Sequence, residues 1–377
     1  MKIAYLLGSL NRGGTETLLL DVFRNAKKNG LIAIGIYRKS GVLDNEFAES
    51  GVTMQKIAFR LNIVAYLLKL RKTLQVEKVD IVHAQQPIDA FYAYLACLGL
   101  KIKLVLTFHG YDFNDKKLGN LILHFIIKKT DANIYVSNTQ RQYYQQKYNL
   151  MPDKQQVVYN GISFEKLDIT HLMTLSHQTS TGLRNELKLS PDVLLLGAVG
   201  NFNEVRDQMT TCKFLKLLHY QQVDFHFVFV GKRVESSADL YDRCVDYCSE
   251  NGLIERVSFL GMRNDVPRIL NELDAFIYST DHDTFGIAVV EAMAVGIPVF
   301  VNDWGVMHEL TEYGKYATLY KTKDENDLLR EFMLFLQNKP EYRKKAKEAA
   351  GFVRQLFSIK QHIFELKKVY DSLITNH

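Results

Sequence analysis

Short apolar runs alternate along this chain with longer stretches of helical spacing. Runs at 2–7, 32–37, 80–83, 104–107, 132–136 and 157–159 read as strands. Stretches at 15–28, 62–74, 89–98 and 117–129 place apolar residues three and four apart and read as helices. Residues 163–190 lose this periodicity and include Ser176-His177-Gln178-Thr179-Ser180-Thr181, so they read as a linker. A second set follows, with strands at 193–199, 225–230, 257–260, 275–278 and 299–301, a helix ending near 219, and helices at 326–336, 341–357 and 359–374. Apolar strands alternating with helices predict the α/β class, with parallel sheets covered on both faces and ligands at the carboxyl ends of the strands.

One stretch, residues 281–300, carries more than pattern. A polar loop after the strand at 275–278 leads through Gly286 into an apolar helix that Gly296-Ile297-Pro298 stops. Glu291 is a lone charge among Ala288, Val289, Val290, Ala292, Met293 and Ala294. It is either ion-paired, the helix's one wet position, or a carboxylate accepting ligand hydroxyls. Asp283 stands eight residues earlier, about 12 Å along a helix axis, which is too far for a paired acid and base but suits two ends of one long ligand. Backbone N–H groups near Phe285, Gly286 and Ile287 would open the helix towards negative charge, and Gly286 admits close approach. A ribose, a diphosphate and a sugar together meet these demands.

Three further loops follow strands. Gly8 to Gly14, with Gly13 and Gly14 at its end, is a Gly-rich approach to a helix but is neither the dinucleotide fingerprint nor a P-loop. His109, Gly110, Tyr111 and Asp112 follow the strand at 104–107, where a His is a better candidate than one at random. Gly200 to Asp207 holds Asn201 and Arg206. Ser137 reads as a helix cap and Asn160-Gly161 as a turn. The apolar stretch Lys117 to Lys129 reads by default as a core helix; its sharper reading is a membrane-docking patch.

Length and charge refine the picture. At 377 residues there is room for two cores. Residues 1–168 carry 23 Lys and Arg against 14 Asp and Glu, a balance of +9, and the remainder 24 against 28, or −4. A basic half fits an anionic membrane, a phosphorylated substrate or simply solvated lysines. No aromatic-basic motif supports nucleic acid. Four Cys are too few for a disulfide framework, and Cys244 and Cys248, on one helix face, lack a second pair at metal spacing. No signal peptide or membrane-spanning run is recognised, so a cytoplasmic location is expected.

The segment from Asp283 through Glu291 to Pro298 resembles the Glu-x7-Glu signature of the family-four retaining glycosyltransferases, with Asp in the first place. The resemblance covers nearly the whole chain and is strongest from Gly197 to Glu309. It implies a GT-B fold: two facing Rossmann-like domains with a cleft between them and C-terminal helices crossing back. The implied divisions are residues 1–168 for the acceptor, 169–358 for the nucleotide sugar, and 359–377 as a helix returning to the first domain. It further implies that Gly13 and Gly14 close over the donor, that Glu291 accepts the ribose hydroxyls, and that Asp283 sits at the donor sugar. Arg206 and the start of the helix at Phe285, Gly286 and Ile287 would hold the diphosphate, and His109 would contact the sugar or acceptor. Asn201 stands where the family has Arg, so one diphosphate cation is lost. Trp304-Gly305 and Glu309 match the family's Gly-Gly-x-x-Glu only in part.

The implied function is sugar transfer from a UDP or GDP sugar to a glycan or lipid-linked acceptor in surface polysaccharide biosynthesis. No cofactor or metal is expected, and peripheral contact with the inner face of the membrane is. Rival readings are a non-catalytic degenerate transferase subunit, a sugar-nucleotide epimerase, and a metal-binding Asp-x-Asp at Asp281 and Asp283.

Overall fold

The computed structural model describes residues 1–59, 62–112, 117–168 and 182–375. Residues 169–181 of the linker expected at 163–190, with 176–181 among them, lie outside the described residues. By contact the chain divides into two units, Met1–Ile162 with Phe357–His377, and Ser163–Leu356.

The first unit is built on a parallel sheet of order β3-β2-β1-β4-β5-β6-β7. Its strands are Lys2–Ser9 (β1), Ile32–Lys39 (β2), Thr53–Lys56 (β3), Ile81–Ala84 (β4), Lys103–Phe108 (β5), Ala132–Tyr135 (β6) and Gln155–Val157 (β7). β1 sits between β2 and β4, with Ile3 opposite Ile81 and Leu6 opposite Ala84. Central strands covered on both faces must be apolar throughout, which is why Ile3 to Leu7 are all buried. One face packs on helices Ile63–Val76 and Pro87–Cys97, through Leu70, Leu74, Ala90 and Ala93. The other packs on helices Gly14–Ala26 and Ile359–Thr375. In the latter, Ile359, Ile363, Leu366 and Tyr370 recur every three or four residues and form one buried stripe.

The second unit repeats the plan with the order β10-β9-β8-β11-β12-β13. Its strands are Leu194–Val199 (β8), Phe225–Val230 (β9), Val257–Gly261 (β10), Ala275–Tyr278 (β11), Val299–Asn302 (β12) and Thr318–Tyr320 (β13). Its core gathers Phe214, Phe225, Phe227, Phe229, Phe300 and Phe332. All four cysteines are free and buried.

Two doubly wound parallel α/β sheets were therefore legible from periodicity. The edge strands β3 and β13 were not, because each is short and half polar, as edges are. The strand expected at 157–159 is displaced to Gln155–Val157. The carbonyl of Tyr159 instead accepts a hydrogen bond from His362 Nδ1 at 2.7 Å, so the chain has left the sheet there.

In both sheets the strand order reverses once, between β1 and β4 and between β8 and β11. Helices leave opposite faces at that point, which opens a crevice beyond the strands' carboxyl ends.

Candidate functional site

In the second unit, that crevice collects charge. Arg206, on the loop after β8, places Nη1 2.6 Å from Asp283 Oδ2, on the loop after β11. The hydroxyl of Tyr278, the last residue of β11, donates to the same carboxylate oxygen. The Arg206 guanidinium lies 4.7 Å from the centroid of the Tyr278 ring. Arg206 also forms an antiparallel bridge with Thr280, so backbone pairing joins the two loops. Its buried Nε has no hydrogen-bond partner among the described residues. A buried donor without a partner is costly, so this nitrogen stands ready for an acceptor.

The helix Ile287–Val295 begins beside this pair. Gly286 caps it at φ 89, in the left-handed region. A side chain there would be strained, and its Cβ would stand 3.0 Å from Met307 Cε. Of the three N–H groups expected to face a ligand, that of Phe285 already donates to Asp283 Oδ1 at 3.2 Å, and the Phe285 ring is buried. Gly286 and Ile287 begin the helix at its positive end. Glu291 is half-buried in the middle of that helix, between the buried Val290 and Ala292.

Asn201 does other work. Its Oδ1 accepts from the Lys232 N–H at 2.9 Å and its carbonyl accepts from Gln208 Nε2 at 3.2 Å. It therefore pins the Gly200 loop to the chain leaving β9. Asp281 pairs with Lys323 at 3.1 Å, so the two carboxylates of the Asp-x-Asp reading are each matched by a different cation. Trp304 meets His282 edge-on, with ring centres 5.3 Å apart. Tyr278 escaped the sequence reading because an aromatic ending a buried strand has no signal to separate it from core.

In the first unit, His109 lies just past β5 and its Nε2 donates to Gln85 Oε1 at 2.8 Å. Burial and the nearby His362 hold its pKa well below the ordinary imidazole range, so it is neutral at physiological pH. His109 and Gln85 line a cavity of about 800 Å³ shared with Thr15, Gln86, Asp112, Leu118 and Tyr144. Burial alone would raise the Asp112 carboxyl, but hydrogen bonds from Tyr148, Tyr143 and Lys147 outweigh it and hold it below its ordinary value. Gly13 caps the helix Gly14–Ala26 in extended conformation, so the Gly-rich loop runs directly into a helix start. Among the described residues, no group of three or more His, Cys, Asp or Glu is placed to hold a metal ion.

Comparison with known proteins gives the same outline. A family model described as Glycosyltransferase Family 4 matches residues 12–166, and one described as Glycosyl transferases group 1 matches residues 181–351. N-acetyl-alpha-D-glucosaminyl L-malate synthase of Bacillus anthracis is 27% identical over 320 residues, covering 81% of this chain and 78% of its own. The UDP-Gal:alpha-D-GlcNAc-diphosphoundecaprenol alpha-1,3-galactosyltransferase of Escherichia coli is 25% identical over 248 residues, 63% of this chain and 61% of its own. The crystal structure of Anabaena Alr3699/HepE in complex with UDP and glucose superposes with a TM-score of 0.82 at 18% identity, covering 99% of this chain and 100% of the other.

Proposed function

From the premise that the chain belongs to glycosyltransferase family 4 and is a glycosyltransferase, we propose that it is a retaining enzyme that takes its sugar from a UDP or GDP sugar. The acceptor is a glycan or a lipid-linked saccharide of surface polysaccharide biosynthesis. The observation that carries the reading is the Arg206–Asp283–Tyr278 cluster at the β8/β11 crevice, beside the helix start at Gly286.

A nucleoside diphosphate leaves as an anion, and the bond to the sugar breaks more readily where positive charge awaits it. Arg206 offers that charge, and the helix dipole at Gly286 and Ile287 adds to it. The reading needs no metal, because these groups supply what a divalent cation otherwise would. Asp283 takes a hydroxyl of the donor sugar, and Glu291 takes the ribose hydroxyls. His109, neutral and held by Gln85, contacts the sugar or the acceptor as a hydrogen-bonding group. Gly13 and Gly14 leave the backbone bare where the donor closes.

The acceptor reading carries a finer expectation, contact with a membrane surface. Helix Lys117–Ile126 buries only Leu123 and Ile126, whereas Leu118 and Leu121 are 70% and 66% exposed. Lys128 and Lys129 follow it, both exposed. On the helix Ile63–Val76, Val64 and Leu68 are exposed as well. No helix among the described residues is long and apolar enough to cross a membrane.

Thermal unfolding of the purified chain with UDP, GDP, ADP and NAD, each with and without EDTA, tests the donor site. A ligand of the folded state raises the melting temperature. One nucleoside diphosphate is expected to stabilise, regardless of EDTA, and Glu291→Ala to abolish the shift. Stabilisation that EDTA removes would move the site to Asp281 and Asp283, and no shift with any nucleotide would overturn the reading.

A further inference from the structure

The first sheet has its own switch point, between β1 and β4, and an arginine stands at it that the transferase reading leaves unused. Arg38 is the seventh residue of β2. Its Nε is 2.9 Å from Asp89 Oδ1, on helix Pro87–Cys97, and its guanidinium lies 5.8 Å from the centroid of the Tyr92 ring. Asp89 is 1% exposed, while the Arg38 side chain keeps 17% of its surface. No side-chain hydrogen bond of Arg38 is found among the described residues, its buried Nε included, so Asp89 meets it as an ion pair alone. Asp89 therefore holds the guanidinium by one edge and leaves the two-nitrogen fork for something else.

The surroundings place that fork. A Cβ built on Gly8, near the end of β1, would stand 3.1 Å from Arg38 Nη2 and 3.3 Å from Gln86 Oε1. Gln86 follows β4 and lines the same cavity as His109. So Arg38, Gly8 and Gln86 converge beyond β1 and β4, where open α/β sheets take their ligands. Gly8 leaves the approach unobstructed.

A plain structural pair is the competing account, with Arg38 and Asp89 tying β2 to a helix. It fits poorly. A buried carboxylate needs several partners to offset its desolvation, yet Asp89 Oδ2 has none among the described residues. Burial pushes its pKa up, against the pull of Arg38. A planar fork with no hydrogen bond, close to the cavity-lining Gln86 and in a half of the chain carrying a balance of +9, is the arrangement that recognises a carboxylate or phosphate in two-pronged fashion.

We propose that Arg38 is an acceptor-specificity residue, whose fork binds an anionic group, carboxylate or phosphate, on the acceptor. The inference rests on the transferase reading for the word acceptor, and on the first unit alone for the anion.

The test titrates inorganic phosphate, L-malate and neutral N-acetylglucosamine against the full chain, reading the melting temperature. It is run on the wild-type chain saturated with UDP and on Arg206→Gln without nucleotide, so that the donor's cation contributes in neither arm. Phosphate or malate is expected to stabilise both, and whichever acts at lower concentration tells a phosphate acceptor from a carboxylate one. Adding Arg38→Gln should abolish the anion shift, and Arg38→Lys should weaken it about tenfold, because a point charge replaces a fork. Arg38→Lys keeps the charge opposite Asp89, so it decides the matter should Arg38→Gln unfold. Equal anion shifts with and without the Arg38 substitutions, or stabilisation by N-acetylglucosamine alone, would overturn the proposal. A missing UDP shift counts against the transferase reading instead, and the Arg206→Gln arm still decides the anion site.

Discussion

At the scale of single residues, the sharpest consequence concerns Asp283. It is hydrogen-bonded by Arg206 and by Tyr278 and is mostly shielded, so it both orients Arg206 and offsets its charge. On the proposed donor reading, a diphosphate would share Arg206 with this carboxylate. Asp283→Asn is therefore expected to keep or tighten the affinity for free nucleoside diphosphate while lowering sugar transfer roughly 100-fold or more, the range seen when one preorganised transition-state contact is lost. Calorimetric binding and initial rates on the same preparations separate the two effects. Nucleotide affinity lost together with activity would reduce Asp283 to a strut for Arg206. Asn201 makes the opposite point: the sequence reads it as a lost cation, whereas its side chain and carbonyl fasten one loop to its neighbours.

At the scale of elements, the helix Ile287–Val295 was legible almost to the residue. Gly286 and Gly296 bound it with positive φ on either side, and only Gly adopts that conformation cheaply. The helix Lys117–Ile126 was harder. Its sequence is apolar enough to read as core, and it does bury Leu123 and Ile126, but the face carrying Leu118 and Leu121 stays outside. Periodicity reports that a helix is apolar, and neighbours decide which apolar face they cover. That exposed face, with Lys128 and Lys129 beyond it, is expected to bind anionic vesicles. Leu118→Glu with Leu121→Glu should cut co-sedimentation with phosphatidylglycerol vesicles at least tenfold while leaving the melting temperature within a few degrees, since both side chains are mostly exposed. Undiminished binding in the double variant would remove this helix from the membrane contact.

At the scale of the molecule, the first unit carries an acid sensitivity. His83 is buried between the Tyr370 hydroxyl, 2.6 Å from Nδ1, and the Thr107 hydroxyl, 2.6 Å from Nε2, and Tyr370 in turn meets Tyr5 at 2.8 Å. Burial drives the His83 pKa well down, and burial drives that of His362 down to about 4. Both stay neutral in the folded chain while an unfolded imidazole protonates near 6.5. Above that pH neither state is charged and these groups add no pH dependence. Below it the unfolded chain gains protons that the folded chain refuses, so each His lowers stability by up to about 1.4 kcal/mol per pH unit until its folded pKa is reached. Denaturant midpoints measured from pH 7 to 4.5 should fall with acid, and His362→Gln, which keeps a donor for the Tyr159 carbonyl, should flatten the slope. An identical slope in both chains would show that other groups govern it.

The sequence by itself determined the alternation of strand and helix, the two α/β sheets, the capped helix at Gly286, and the eight-residue spacing from Asp283 to Glu291. All of these are local, and local backbone geometry writes them into the order of residues as a period or a glycine. Only the tertiary structure decided who meets whom. Arg206 reaches Asp283 across 77 positions because β11 lies beside β8. Arg38 and Gln86 converge near Gly8 because β1 lies between β2 and β4. Strand order is settled by burying apolar faces across the whole sheet, so no window of sequence contains it. The charges that share a crevice, and hence the chemistry, follow from that order.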